Sequence, residues 1–141
     1  MSATAEPSVT TTTTTSPLRR RALGVAAAVL ACLAIWAIGE AAGVDYTVES
    51  PGQPPLVLGP GQIIGIALGA ALLGWATLAL LERFVPRTAR LIWISLAIVV
   101  TLLSFGPLLG TEATAGAKLA LGAMHVAVAV ALITLLPARH R

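Results

Sequence analysis

The stretch that decides the fold is Ala22–Ala42, which reads ALGVAAAVLACLAIWAIGEAA and contains a single charged residue, Glu40. A helix needs about 20 residues to cross the roughly 30 Å of hydrocarbon in a bilayer. This stretch has that length and is apolar on nearly every face, whereas a surface helix of a soluble protein is apolar along one stripe. It therefore predicts a membrane-spanning helix.

Three further stretches have the same character. The four predicted helices span about Ala22–Ala42, Pro60–Leu81, Leu91–Leu109 and Ala117–Leu136. Pro60 suits the first turn of a helix, and Pro137 cannot continue one. The chain is 57% hydrophobic and only 11% charged, whereas soluble domains carry about 25% charged residues. The predicted fold class is all-α, an integral membrane four-helix bundle.

The basic residues predict how this bundle is oriented. They lie before helix 1, between helices 2 and 3, and after helix 4: Arg19, Arg20, Arg21, Arg83, Arg87, Arg90, Arg139 and Arg141. Lys118 is the only basic residue in or beside the two opposite loops. Because cytoplasmic loops carry an excess of Lys and Arg, we expect both termini in the cytoplasm of a bacterial plasma membrane. The net charge of +3 therefore reflects basic residues that set the orientation in the membrane, and no nucleic-acid partner is predicted.

The N-terminal residues differ in composition from the rest. Residues 1–18 contain a threonine run from Thr10 to Thr15 and no hydrophobic periodicity, which predicts a disordered cytoplasmic tail before a transmembrane domain over residues 19–141. The alternative for helix 1 is a signal peptide, since RRRALGV at Arg19–Val25 begins with a basic region. A retained helix is preferred, because its apolar run exceeds the roughly 7–15 residues of a signal core.

Two segments bear on how the helices pack. The outer loop, residues 44–59, holds Pro51, Pro54 and Pro55, which prevent a regular helix. We prefer an interfacial loop, with a lid over the bundle mouth as the alternative. Helix 2 carries Gly61, Gly65 and Gly69 at four-residue spacing. Such stripes let helix backbones approach closely in lipid, and we expect this one to pack within the chain; a second copy is the alternative.

A small set of polar residues forms the candidate ligand or proton site. Counting from the helix ends places all of them in the outer part of the bundle: Glu40, Asp45, Ser104, Lys118 and His125. We expect Glu40 and Lys118 to form an ion pair at the outer rim. His125 lies two turns deeper than Lys118 on the same helix face.

For His125 two interpretations are open. The preferred one is a neutral histidine bonded to a hydroxyl of helix 3; the other is a proton or ligand site. At the cytoplasmic side, Glu82 and Arg83 are expected to anchor the end of helix 2, with Arg87 or Arg90 as local ion-pair partners. Trp93 is expected at the cytoplasmic headgroup level.

Catalytic and metal chemistry find little support in the sequence. Cys32 is the sole cysteine, which excludes an intrachain disulfide, a CxxC redox pair and a multi-cysteine metal site. A b-type haem usually needs two histidine ligands, and His125 is the only histidine in a predicted helix. Because no nucleophile–base arrangement is visible either, we predict no enzymatic activity, no metal and no cofactor.

Five motifs carry a resemblance to a known family. They are GVD at Gly43–Asp45, LLER at Leu80–Arg83, LIW at Leu91–Trp93, LLSFGPLL at Leu102–Leu109 and KLALGAMHVAVAVALITLLP at Lys118–Pro137. In these the chain resembles a family of small four-helix membrane proteins, found mainly in actinobacteria and known only as a domain of unknown function. The resemblance covers the four helices and not the threonine-rich tail. It implies an inner-membrane location but no activity, and a polar set of Asp45, Glu82, Arg83, Ser104, Lys118 and His125.

Two functional hypotheses follow. The first is a non-enzymatic accessory or interaction protein, whose partners are the lipid bilayer and either another membrane protein or a second copy of the chain. The second is a small transporter or ligand-binding membrane protein with an outward-facing polar pocket around His125.

Overall fold

The computed structural model describes residues 16–137 and consists of four long helices and one short hairpin. The helices are α1 (Pro17–Ala41), α2 (Pro60–Phe84), α3 (Ala89–Gly110) and α4 (Ala115–Leu135). Between α1 and α2, strands β1 (Thr47–Val48) and β2 (Leu56–Val57) pair antiparallel. All four helices are long and apolar enough to cross a membrane. The all-α, four-helix prediction is confirmed.

Helices α1 and α4 begin earlier than predicted, at Pro17 and Ala115, because the side chains of Ser16 and Thr114 cap them. The Ser16 hydroxyl accepts a hydrogen bond of 3.3 Å from the Arg19 backbone N–H, and Pro17 occupies the first turn of α1. Pro17 and Leu18 therefore belong to the helix and not to the predicted tail. Residues 1–15 of that tail, together with Arg139 and Arg141, lie outside the described residues.

The helices form a ring in which α1 and α3 each pack between α2 and α4. The most extensive contact joins α1 to α4. On α1 it is made by small buried residues at four-residue spacing, namely Gly24, Ala28 and Cys32. A Cβ added at Gly24 would lie 2.9 Å from Leu136 Cδ1. The sequence predicted that small residues of helix 2 would allow two helices to approach closely. In the structure the small residues of α1 do so.

The glycine stripe of α2 faces away from the other helices of the chain. Gly61, Gly65 and Gly69 are exposed, and a Cβ added at any of them would meet nothing within 4 Å. The buried residues are instead Ile63, Ala67, Ala71 and Leu78. The first three follow the glycines by two positions, which is more than half a helical turn. The prediction that the stripe packs within the chain is wrong, because α2 is apolar all round and alanines serve the packed face.

One ion pair joins helices within the described part of the chain. Arg21 of α1 pairs with Glu82 of α2, and their side chains are 16% and 33% exposed. The local pairing of Glu82 with Arg87 or Arg90 is not formed. Arg21 and Glu82 lie at the arginine end of the bundle, defined by Arg21, Arg83, Arg87 and Arg90; the hairpin end holds residues 44–59 and 111–114.

Glu82→Gln is expected to lower the apparent melting temperature of the purified protein in detergent. Removing the carboxylate leaves Arg21 without its partner, at a cost of about 1 kcal/mol for a partly exposed pair. Arg83→Gln is the matched control, because Arg83 is exposed and no ion pair involves it among the described residues. Equal melting temperatures for the two variants would contradict the assignment.

Candidate functional site

A cavity of about 230 Å³ lies between α2, α3 and α4. Its wall is apolar except for five side chains: Thr77, Trp93, Thr101, Ser104 and His125. Two other lining residues, Leu73 of α2 and Val100 of α3, are 69% and 54% exposed. The mouth of the cavity therefore lies on the side of the bundle, between α2 and α3.

The structure brings together only two of the five residues predicted for the site. Ser104 and His125 line the cavity; Glu40, Asp45 and Lys118 do not. Glu40 and Asp45 are exposed, and Lys118 is half-buried near the start of α4. The expected Glu40–Lys118 ion pair is not formed, since no salt bridge in the described residues contains either group. Near a helix end both can reach water separately, so pairing would contribute little.

The loop at the hairpin end packs onto the bundle. Tyr46 and Leu58 are 2% and 7% exposed. The Trp36 indole N–H donates to the Leu58 carbonyl at 3.1 Å, and the Tyr46 hydroxyl donates to the Trp36 carbonyl at 3.3 Å. Glu49 and Glu112 exchange backbone hydrogen bonds of 2.9 and 3.0 Å, which tie the hairpin to the α3–α4 loop. Residues 44–59, called the lid below, therefore cover this end of the bundle; Leu56 and Val57 stay 50% and 63% exposed, and contact of the loop with the membrane interface stays a prediction.

Two titratable groups of the lid have shifted pKa values. Burial, and after it the negative charge of Glu40, raise the pKa of Tyr46, so its hydroxyl stays a donor. Asp45 accepts from the Thr47 hydroxyl at 2.7 Å and from the Thr47 backbone N–H at 2.9 Å, and these bonds lower the pKa of Asp45. Asp45 thus acts locally, as the residue that shapes the chain into β1.

Thr47→Val is expected to move the pKa of Asp45 back up toward its ordinary value, because the hydroxyl bond stabilises the carboxylate. A lowered folded-state pKa stabilises the hairpin above the ordinary aspartate pKa, and this stabilisation is lost as the pH falls through the folded-state pKa. The measurement is an NMR titration of the Asp45 side-chain carbonyl carbon. Thr111→Val removes a hydroxyl bonded elsewhere, to the Leu108 carbonyl, and should leave the titration unchanged.

His125 bonds to its own helix. Its Nδ1 lies 2.7 Å from the Leu121 carbonyl oxygen, and since a carbonyl can only accept, Nδ1 is the donor. The prediction that His125 bonds to a hydroxyl of helix 3 is wrong: Ser104 donates to the Thr101 carbonyl at 2.6 Å, and Thr101 to the Ala97 carbonyl at 2.7 Å. A helical serine or threonine hydroxyl can reach a backbone carbonyl one turn earlier in its own helix, and here this hydrogen bond forms instead of one to His125.

Trp93 is a site residue that the sequence did not predict. It is 4% exposed and packs with Leu78, Leu132 and Leu136, while its position at the headgroup level stays a prediction. Its indole nitrogen is the one enclosed side-chain polar atom of the described residues without a hydrogen-bond partner. The signal that could have placed it is the spacing of Trp93, Ala97, Thr101 and Ser104, which share one face of α3.

A sequence model of one protein family matches residues 12–141 of the chain. The chain belongs to DUF6069, a family of unknown function. This membership confirms the resemblance to a family known only as a domain of unknown function. No curated protein and no solved structure matches this DUF6069 chain.

The acidic, histidine and cysteine side chains of this DUF6069 protein lie apart. Over residues 16–137, no three of them come close enough together to hold a metal ion. Cys32 is buried beside the Met124 carbonyl on the α1–α4 contact. What the cavity offers a ligand is apolar contact together with hydrogen bonds to its few polar side chains.

Proposed function

We propose that this DUF6069 protein is a multi-pass protein of a bacterial plasma membrane that acts as a non-enzymatic accessory or interaction protein. The observation that supports an interaction role best is the outward position of Gly61, Gly65 and Gly69 on α2. Because no side chain covers this stripe, the backbone of another helix can approach α2 closely there. The partner is another membrane protein or a second copy of the chain.

The outer surface of the bundle supports the membrane setting. Large apolar side chains stand exposed on α3, including Leu102, Leu103 and Leu109 at 66%, 70% and 78%. In water such a surface would drive aggregation, whereas in lipid it is solvated. The Arg21–Glu82 pair joins the start of α1 to the end of α2, so the arginines around both lie at one end, which we place in the cytoplasm with both termini.

Site-directed labelling tests this orientation. In a Cys32→Ala background, Gln53→Cys places a thiol in the exposed hairpin and Arg87→Cys places one in the exposed α2–α3 turn. A membrane-impermeant maleimide added to intact cells should label position 53, and position 87 only after lysis. Labelling in the reverse order would overturn the proposed orientation.

Co-purification tests the interaction role. Extraction in a mild detergent should recover the protein with a stoichiometric partner or as an oligomer, and Gly65→Ile should abolish the assembly by filling the stripe. Ala34→Ile is the control, since Ala34 is exposed on α1. A wild-type protein that is recovered only as a lone monomer, or an assembly that survives Gly65→Ile, would contradict the proposal.

A second candidate function, binding of a small ligand within the membrane, is favoured by the cavity between α2, α3 and α4. We do not place this ligand in an outward-facing polar pocket, because the lid packs on the hairpin end and because Glu40, Asp45 and Lys118 lie outside the cavity. The mouth between Leu73 and Val100 offers a route from the side of the bundle, and the ligand would then come from the lipid.

A further inference from the structure

The hydroxyl groups in the cavity wall have their protons engaged. Thr77 donates to the Leu73 carbonyl at 2.8 Å, and Thr101 and Ser104 donate to carbonyls of α3 at 2.7 and 2.6 Å. A hydroxyl has one proton to donate and two lone pairs that accept. With each proton held by the helix backbone, these groups present acceptor oxygens to the cavity.

His125 adds a nitrogen acceptor to the same wall. Its Nδ1 proton is donated to the Leu121 carbonyl at 2.7 Å. In the neutral ring the other nitrogen, Nε2, then carries a lone pair and no proton. Nε2 forms no hydrogen bond to the described residues. The His125 ring lines this cavity and borders a second one between α1, α2 and α4, and we infer that Nε2 is the unused acceptor offered to the cavity between α2, α3 and α4.

Among the polar lining residues, Trp93 alone has a donor proton that is not already bonded to the described residues, and it lies apart from this group. Its indole nitrogen is enclosed by the packed core and has almost no accessible surface. Along α3 it is about 16 Å from Ser104, at about 1.5 Å per residue. Around His125 and Ser104 the wall is therefore acceptor-only.

From this pattern we propose that the cavity binds a lipophilic phenol or alcohol, whose hydroxyl donates a hydrogen bond to His125 Nε2. The proposal rests on the second candidate function and specifies its ligand class. An alkane, ether or ester would leave Nε2 unpaired, and a buried polar group without a partner is costly. Only a donor satisfies it.

Size and access fit this occupant. The cavity of about 230 Å³ is larger than the roughly 150 Å³ apolar cavity that admits benzene. A substituted ring therefore fits in the cavity beside His125. An apolar chain on that ring can leave through the mouth between Leu73 and Val100, where the outside is lipid in the proposed setting.

The test compares two probes that differ by one hydrogen-bond donor, 4-(trifluoromethyl)phenol and its methyl ether. Each is titrated by ¹⁹F NMR against the purified full-length protein in detergent micelles. Val128→Phe, which fills the cavity beside His125, gives the micelle baseline for each probe. We expect the phenol to bind about fivefold more tightly than the ether, the ratio typical of one net hydrogen bond.

His125→Phe keeps an aromatic ring of similar size and should abolish that fivefold preference; its melting temperature reports whether it folds. The wild-type ratio tests the proposal even if this variant does not fold. Equal affinity of the two probes overturns the ligand class and leaves a ligand cavity standing. Binding of neither probe overturns both, while co-purification still decides the interaction role. A preference that persists in folded His125→Phe overturns the role of His125.

Discussion

Gly39→Ala is expected to displace Tyr46 and release the lid from the hairpin end of the bundle. A Cβ at position 39 would overlap the Tyr46 hydroxyl and lie 3.0 Å from Tyr46 Cζ. Tyr46 is 2% exposed and belongs to the cluster with Cys32, Leu58 and Met124, so the ring cannot move without opening that cluster. Overpacking of this kind costs about 1–3 kcal/mol, although alanine is by itself the better helix former.

The measurement is the apparent melting temperature in detergent, together with proteolysis of the loop at residues 44–59. Gly39→Ala should melt lower than wild type and be cleaved faster in this loop. Gly106→Ala is the control, because a Cβ on that glycine of α3 meets nothing within 4 Å; it should be neutral or slightly stabilising. Wild-type melting and cleavage for Gly39→Ala would show that Tyr46 does not hold the lid.

The rotation of α2 about its axis explains why the glycine stripe was misassigned. Length and hydropathy predict which segments are long and apolar enough to cross a membrane, and they located the four helices correctly. A soluble helix also reveals its packed face through one apolar stripe. In α2 the packed Ile63 and Ala67 and the exposed Ile66 and Leu73 are equally apolar. Lipid solvates both faces alike, so a single sequence leaves this rotation undetermined.

The partners of polar residues were missed for a related reason. The sequence placed His125 and Ser104 near one another, and they do line one cavity. It paired Glu82 with arginines close in sequence, whereas the structure pairs it with Arg21 of another helix. Neighbours along the chain can be counted in advance, but partners across a bundle depend on helix rotation. The sequence could not show that the cavity wall offers only acceptors, because this depends on which backbone carbonyl each hydroxyl donates its hydrogen bond to.

Ala28→Leu is expected to force α1 away from α4 and to produce one of the largest losses of stability in the bundle. Ala28 and Ala71 are both fully buried, in one cluster with Val25, Leu132 and Leu136. A leucine adds three carbon atoms where none fits, and overpacking a core costs about 1–3 kcal/mol. In lipid no hydrophobic drive restores the contact, because helix association there depends on close packing itself.

The native cysteine reports the result without a further label. Cys32 lies one turn from Ala28 and is 3% exposed against the Met124 carbonyl, so in the folded protein it should react slowly with a maleimide. Ala28→Leu should speed that reaction and lower the melting temperature, whereas Ala34→Leu, on an exposed position of α1, should change neither. If both variants react like wild type, Gly24, Ala28 and Cys32 are not the contact that holds α1 to α4. If Ala34→Leu alone were destabilised, the face of α1 that meets the other helices would be the opposite one.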